Sequence, residues 1–172
     1  MRLLGLVLLT AVVVLNLALG QTAPDPALEA QLRRVFPAAV SFSAKQAGPP
    51  SHFVAYAADR TVAGYVFWTT EMEPLERGYD GPIKMLVGVD TNAVLTGVLV
   101  TEHREPYGYF SVDLPEFAAQ FAGKNIRDPF RVGGDVDAVS RATITITSSS
   151  RAIRNGARRV ARALMTPPGT GR

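Results

Sequence analysis

Hydroxyl groups recur at Thr143, Thr145 and Thr147, with Ile144 and Ile146 between them and Asp137, Ser140 and Arg141 just upstream. A hydroxyl is a weak nucleophile, so covalent chemistry at these side chains needs activation by another group or another enzyme. Arg141 offers a planar guanidinium suited to pairing with phosphate. Ala142 is small and leaves room for approach, and Asp137 is suited to hydrogen-bonding backbone amides within a turn. The alternation of hydroxyl and isoleucine predicts a short β-type segment over residues 143–147, with one polar and one apolar face. The serines at 148–150 then read as the entry to a helix.

A second cluster is Glu102-His103-Arg104-Glu105-Pro106-Tyr107-Gly108, a charged loop. His103 is of a residue type suited to acid–base work, but no nucleophile stands beside it in the sequence. With His52 the only other imidazole, the loop holds at most part of a ligand set, and no metal site is expected. Gly78-Tyr79-Asp80-Gly81-Pro82-Ile83 is the third stretch of interest, where two glycines and a proline impose a tight turn.

Several classes of chemistry are excluded. The chain has 0 cysteines, which removes disulfides, thiolate-held iron–sulfur clusters and cysteine nucleophiles from its own repertoire. Gly133-Gly134 lacks the remaining glycines or the Gly-Lys-Ser/Thr of a phosphate-binding loop. Neither Gly-x-Ser-x-Gly nor Ser-x-x-Lys occurs, so a serine hydrolase is not supported and no catalytic residue is assigned. A formal charge of +3 over 172 residues is too mild to imply nucleic acid.

The elements that must position these clusters can be read in order. Residues 1–20 are a short positive start and an apolar run ending Ala18-Leu19-Gly20, the pattern of a secretory signal peptide or an N-terminal anchor. Residues 21–26 form a polar linker, 27–165 one folded domain, and 166–172 a disordered tail. Within the domain, a helix over 27–36 follows the cap Asp25-Pro26 and stops at Pro37. Residues 53–56 and 63–70 form a β-hairpin about Asp59-Arg60, and residues 84–90 and 94–101 form a second. Trp68 belongs most simply to the core, with stacking on a bound aromatic ring system the other use of such a ring. Leu114, Phe117, Ala118 and Phe121 lie at helical spacing ahead of Gly123. The stripe Ile153, Ala157, Val160, Ala161, Leu164 marks a helix over 150–164 whose other faces carry arginines. That helix packs by one face, with anionic lipid or an acidic partner protein the alternative use of its charge. The fold expected is α+β, a mostly antiparallel twisted sheet with two or three packed helices.

Asp137-x-x-Ser140-x-Ala142-Thr143 resembles the flavinylation motif of the extracytoplasmic FMN-binding domain family. Members include the Rnf G subunit, the C subunit of the Na+-translocating NADH:quinone oxidoreductase, and NosR-type proteins. Leu32-x-x-Val35-Phe36-Pro37, the Gly-Tyr-x-Gly-Pro-Ile turn and the His-x-Glu-Pro loop are similar to that family too, so the likeness runs through nearly the whole domain. Pump-type members have Gly where this chain has Arg141, which brings it nearer the NosR-type branch. The resemblance implies FMN joined by a phosphodiester bond to Thr143, with Thr145 and Ser140 fitting the spacing less well. It further implies a flavin site drawn from Asp137, Ser140, Arg141, Ala142, Gly78, Tyr79, Gly81, Pro82, His103, Glu105 and Tyr107. The flavin would lie between the 78–83 turn, the 102–108 loop and the Thr143 strand end.

The function implied is that of an extracytoplasmic or periplasmic electron-transfer protein rather than an enzyme with its own substrate. A flavin transferase of the ApbE type would mature it, and redox partners at or near the membrane would exchange electrons with it. A redox-sensing or partner-binding regulatory module of the same fold, with or without flavin, is the alternative.

Overall fold

Strand β4 (Lys84–Asp90) shows why the molecule has two layers of cover. Its five central residues, Met85 to Val89, are all buried, so both faces of the sheet must be capped. Alternation decides which side chain goes where: Leu86 joins Val66, Phe53, Phe36 and Leu32 on one face. Met85, Val87 and Val89 join Phe67, Ile146, Ile153 and Val160 on the other. Each fully buried Leu, Val or Phe contributes about 1.5–3 kcal/mol by leaving water.

The computed structural model describes residues 24–165. The leader or anchor expected over 1–20, residues 21–23 of the linker and the tail over 166–172 lie outside the described residues. Helix α1 (Pro26–Val35) leads into strands β1 (Ser41–Phe42), β2 (Phe53–Tyr56) and β3 (Val62–Trp68). One helical turn, α2 (Thr69–Met72), precedes β4 and β5 (Leu95–Glu102); a short α3 (Pro115–Ala119) and the long α4 (Thr143–Leu164) complete the order. The sheet is a simple antiparallel meander in the order β1-β2-β3-β4-β5. This is the α+β architecture expected. Among the described residues, no helix is long and apolar enough to cross a membrane.

α1 covers one face. Asp25 caps it by accepting from the amides of Ala27 and Leu28, both at 3.0 Å, and Pro26 takes the first helical position. Its last turn lies almost on the sheet. A Cβ at Gly88 would come 2.6 Å from the Val35 carbonyl and 2.3 Å from Thr96 Oγ1, so only glycine admits the helix there. Thr96 Oγ1 donates to that same carbonyl at 2.6 Å, closing an end of α1 that has no further turn to bond to.

α4 and α3 cover the opposite face, and here the structure departs from the sequence reading. Residues 143–147 are not a strand; they are the first turn and a half of α4, which runs from Thr143 without a break. A strand would place Ile144 and Ile146 on one face, yet Ile144 is 58% exposed and Ile146 is 0% exposed. Among the buried residues of α4, Thr145, Ile146, Ser149, Ala152, Ile153, Gly156, Ala157 and Val160 instead follow helical spacing, with Ser148 and Ser150 buried beside them. β-Branched propensity favoured a strand, and burial of the 3.6-residue stripe overrode it. A smaller departure is Thr69-Thr70, expected at the end of β3. They begin α2, where Thr69 Oγ1 donates to the Ile83 carbonyl and accepts from the Met85 amide.

Candidate functional site

Glu105 ties the site together. It follows β5 in a loop and is only 6% exposed. Its Oε2 accepts from the Tyr79 amide at 3.0 Å and its Oε1 from the Asp80 amide at 2.9 Å. The Thr145 hydroxyl of α4 donates to Oε2 as well. One carboxylate therefore holds the 78–81 turn, its own loop and the start of α4 in a fixed relation. Among the described residues no cation pairs with it, so these three donors carry its solvation. Gly78 is glycine because a Cβ would lie 2.4 Å from Glu105 Oε1. Gly81, at φ +123, completes the turn, and its carbonyl accepts from the Gly78 amide at 2.7 Å.

His103 supports Glu105 from behind. The Glu105 amide donates to His103 Nδ1 at 3.0 Å, which places the ring proton on Nε2, and Nε2 donates to Asp113 Oδ1 at 2.7 Å. Gly108 fits against the ring, since a Cβ there would lie 2.2 Å from Cε1. His103 is thus a loop-positioning residue rather than a ligand at the cleft. It lines a separate small pocket with Pro82, Lys84 and Arg104.

The start of α4 leaves its first-turn amides without a side-chain cap. Arg141 takes a left-handed conformation, φ 67, and turns the chain into the helix. The N-cap is Ala142, which brings no capping side chain, so no side-chain acceptor satisfies the first-turn amides. Those donors lie at the positive end of a 22-residue helix whose first residue is Thr143.

An open cleft of about 300 Å³ lies at this point, lined by Tyr79, Pro106, Tyr107, Arg141, Thr143, Ile144 and Thr145. Tyr79 is 71% exposed and Tyr107 43%, so two phenol rings flank it with Ile144. Larger grooves of about 590, 490 and 480 Å³ occur elsewhere, but neither Arg141 nor Thr143 lines any of them. The three hydroxyls weighed from the sequence now differ. Thr145 is 3% exposed and committed to Glu105. Ser140 is not among the residues that line the cleft. Thr143 is exposed, lines the cleft and makes no side-chain hydrogen bond among the described residues.

Of the residues named from the sequence, Tyr79, Tyr107, Arg141 and Thr143 meet at this cleft, and Ala142, Glu105, Gly78 and Gly81 support it from beneath. Asp137, Ser140, Pro82 and His103 do not line it. Asp137 does not organise backbone amides: its own amide donates to Gln120 Oε1 at 2.8 Å, and its side chain is exposed. That work falls to Asp135, which accepts from the amides of Phe130 at 3.1 Å and Arg131 at 2.6 Å. Burial pushes the Asp135 carboxyl up, but those amides and Lys124 outweigh it and hold the group below its ordinary range. Trp68 packs on the α1 face, away from Thr143, with Lys84 Nζ 4.8 Å over its ring. No cluster of metal-ligating side chains exists among the described residues. Pro106, Ile144 and the Thr145–Glu105 bond were not assigned from the sequence. Once 143–147 is drawn as a helix, their convergence follows.

Residues 78–161, which include every part of this cleft, match the FMN-binding domain family. Over these residues the chain is homologous to that family. Among its relatives is the G subunit of the ion-translocating oxidoreductase complex of Escherichia coli K12. It is 36% identical over 101 residues, covering 53% of this chain and 47% of that protein. The corresponding G subunit of Salmonella typhi is 32% identical over 117 residues, covering 62% of this chain and 52% of that protein. The matched region thus spans about half the length of these curated relatives. The crystal structure of Shewanella oneidensis NqrC aligns with a TM-score of 0.44 and 22% identity over 69% of this chain and 65% of that one.

The side chains fit FMN. A guanidinium and uncapped helix amides suit a phosphate, and phenol rings with an aliphatic wall suit a flat aromatic ring system.

Proposed function

We propose that this chain is an extracytoplasmic electron-transfer flavoprotein whose FMN is attached through its phosphate to the Thr143 oxygen. The observation that carries the reading is the exposed, uncommitted Thr143 hydroxyl at an uncapped helix start, two residues from a Thr145 whose hydroxyl is sequestered by Glu105. A tether at that atom sets the phosphate against the first-turn amides and Arg141 and directs the rest of the ligand between Tyr79 and Tyr107. When bound, FMN supplies one- and two-electron redox chemistry. The residues of the chain orient it and shield one side from water.

A threonine hydroxyl beside an alanine and an arginine has no base to activate it, which supports maturation by a separate flavin transferase. The apolar run over 1–20 supports delivery across, or attachment to, a membrane, with the domain on the extracytoplasmic side. There a covalent bond replaces an equilibrium affinity with a fixed local concentration. Redox partner proteins at or near the membrane would serve as donor and acceptor, with no substrate reaction on this chain.

The test is intact mass after co-expression with a flavin transferase. Wild type should gain one FMN less one water, Thr143→Ala should gain nothing, and Thr145→Val should still be modified. Modification of Thr143→Ala, or none of wild type beside a positive control substrate, would overturn the reading.

A further inference from the structure

The far end of α4 carries a second feature. Arg154, Arg158 and Arg162 stand at successive i, i+4 positions, about 6 Å apart along the helix axis. Arg158 and Arg162, with Arg127 from the preceding loop, line an open groove of about 590 Å³ that also includes Thr91, Asn92, Ile126 and Met165. No acidic side chain lines it. The nearby carboxylates are occupied: Asp90 accepts from the amides of Asn92 and Val94, and Asp128 from the amide of Asn125.

The two edges of α4 are treated differently. On the α2 side, Arg151 pairs with Glu76 at 2.7 Å and Arg159 with Glu73 at 2.8 Å. The hydrogen bond from Arg151 to Glu76 holds that guanidinium above its ordinary value. On the groove side, Arg154 and Arg158 donate to backbone carbonyls of Pro129, Ile126 and Asp128. The side chains of Arg127 and Arg162 have no hydrogen-bonded or ion-paired partner among the described residues. Burial, then the charges of Arg154 and Arg162, push the Arg158 guanidinium down. Like charges held together at i, i+4 without acids cost stability, and an anionic occupant relieves that cost.

We propose that this groove binds an extended acidic segment of a partner protein, with acidic side chains at alternate positions. Alternate residues of an extended chain repeat every ~6.4–6.8 Å, close to the rise between the arginines. The groove is concave and includes the apolar side chains of Ile126 and Met165, which suits a peptide better than the flat plane of a bilayer. Arg158 lies fifteen residues along α4 from Thr143, roughly 22 Å, so an occupant here leaves the cleft open. The proposal does not depend on the flavin reading.

The probe is a fluorescein-labelled peptide of alternating Glu and Ser, titrated by anisotropy into the full chain at low salt. Binding should saturate, weaken with added salt, and fall about tenfold in Arg127→Glu/Arg162→Glu. Arg60→Glu/Arg77→Glu has the same charge change at sites away from the groove and should stay within about twofold of wild type. Thr143→Ala should bind as wild type, whatever the outcome of its flavin assay. Equal loss in both double variants would mean attraction by net charge alone and would overturn the proposal. It would fall equally if the groove variant kept wild-type affinity. The same holds if the double substitution abolished sedimentation with phosphatidylglycerol vesicles while peptide binding persisted, since the surface would then serve lipid.

Discussion

Both faces of the sheet bury an apolar cluster, but only the α4 face sets a row of buried polar side chains beside it. Under α1 the contacts are apolar side chains, Leu32, Val35, Phe36, Phe53, Val66 and Leu86, set close by a glycine on the sheet. Under α4 the interior includes Thr145, Ser148, Ser149, Ser150 and, beside them, Glu105. Apolar packing is non-directional and tolerates small shifts. Buried hydrogen bonds are directional and costly when unmade. Both faces therefore supply apolar burial, whereas the second alone adds directional bonds that fix the cleft at one height and angle.

The sharpest way to break that contrast is Glu105→Ala. It strands two amides and the Thr145 hydroxyl and opens a void beneath the cleft, so stability should fall by roughly 3–5 kcal/mol. Urea denaturation reads the loss. Flavinylation at Thr143 should fall too, because the 78–81 turn is then no longer held against α4. A loss below about 1 kcal/mol would mean that the carboxylate is not what joins these segments. On the α1 face, Gly88→Ala should cost about 1–3 kcal/mol by driving a methyl into the Val35 carbonyl. Its flavinylation, measured under folding conditions, should match wild type. If both variants impaired modification equally, the division of labour between the faces would be wrong.

The two faces also differed in how far they could be read from sequence. The α1 face was legible because its signals agree: a capped amphipathic helix, alternating strands and a strand over 84–90 whose observed bounds are those expected. The α4 face was partly opaque because its signals conflict. Thr-Ile-Thr-Ile-Thr has the composition and period of a strand, and the packing that makes it a helix lies in residues up to Val160. The identity of Thr143 as a candidate acceptor came from motif resemblance and did not depend on the secondary structure. What was lost was the reason for it. Only at a helix start does Thr143 meet uncapped amides while Thr145, two residues on, turns inward to Glu105. Asp135 and Asp137 show the same limit, since spacing does not reveal which of two nearby carboxylates folds back onto the chain.

The smallest expected effect sharpens the comparison further. Ser148 Oγ donates to the Thr145 carbonyl at 3.1 Å and Ser150 Oγ to the Ile146 carbonyl at 2.8 Å, so both hydroxyls bond back into the preceding turn. Ser149 Oγ is buried without a hydrogen-bond partner among the described residues. It therefore bears a desolvation cost that nothing offsets, in a helix where alanine is also the better former. Ser149→Ala should raise stability by about 0.5–1 kcal/mol, seen as a higher urea midpoint at unchanged slope. Ser150→Ala, which removes a satisfied hydroxyl, should not. A loss of stability in Ser149→Ala would show that this hydroxyl has a buried water as its partner. The polar face beneath α4 would then be satisfied throughout, and more rigid than the direct bonds alone imply.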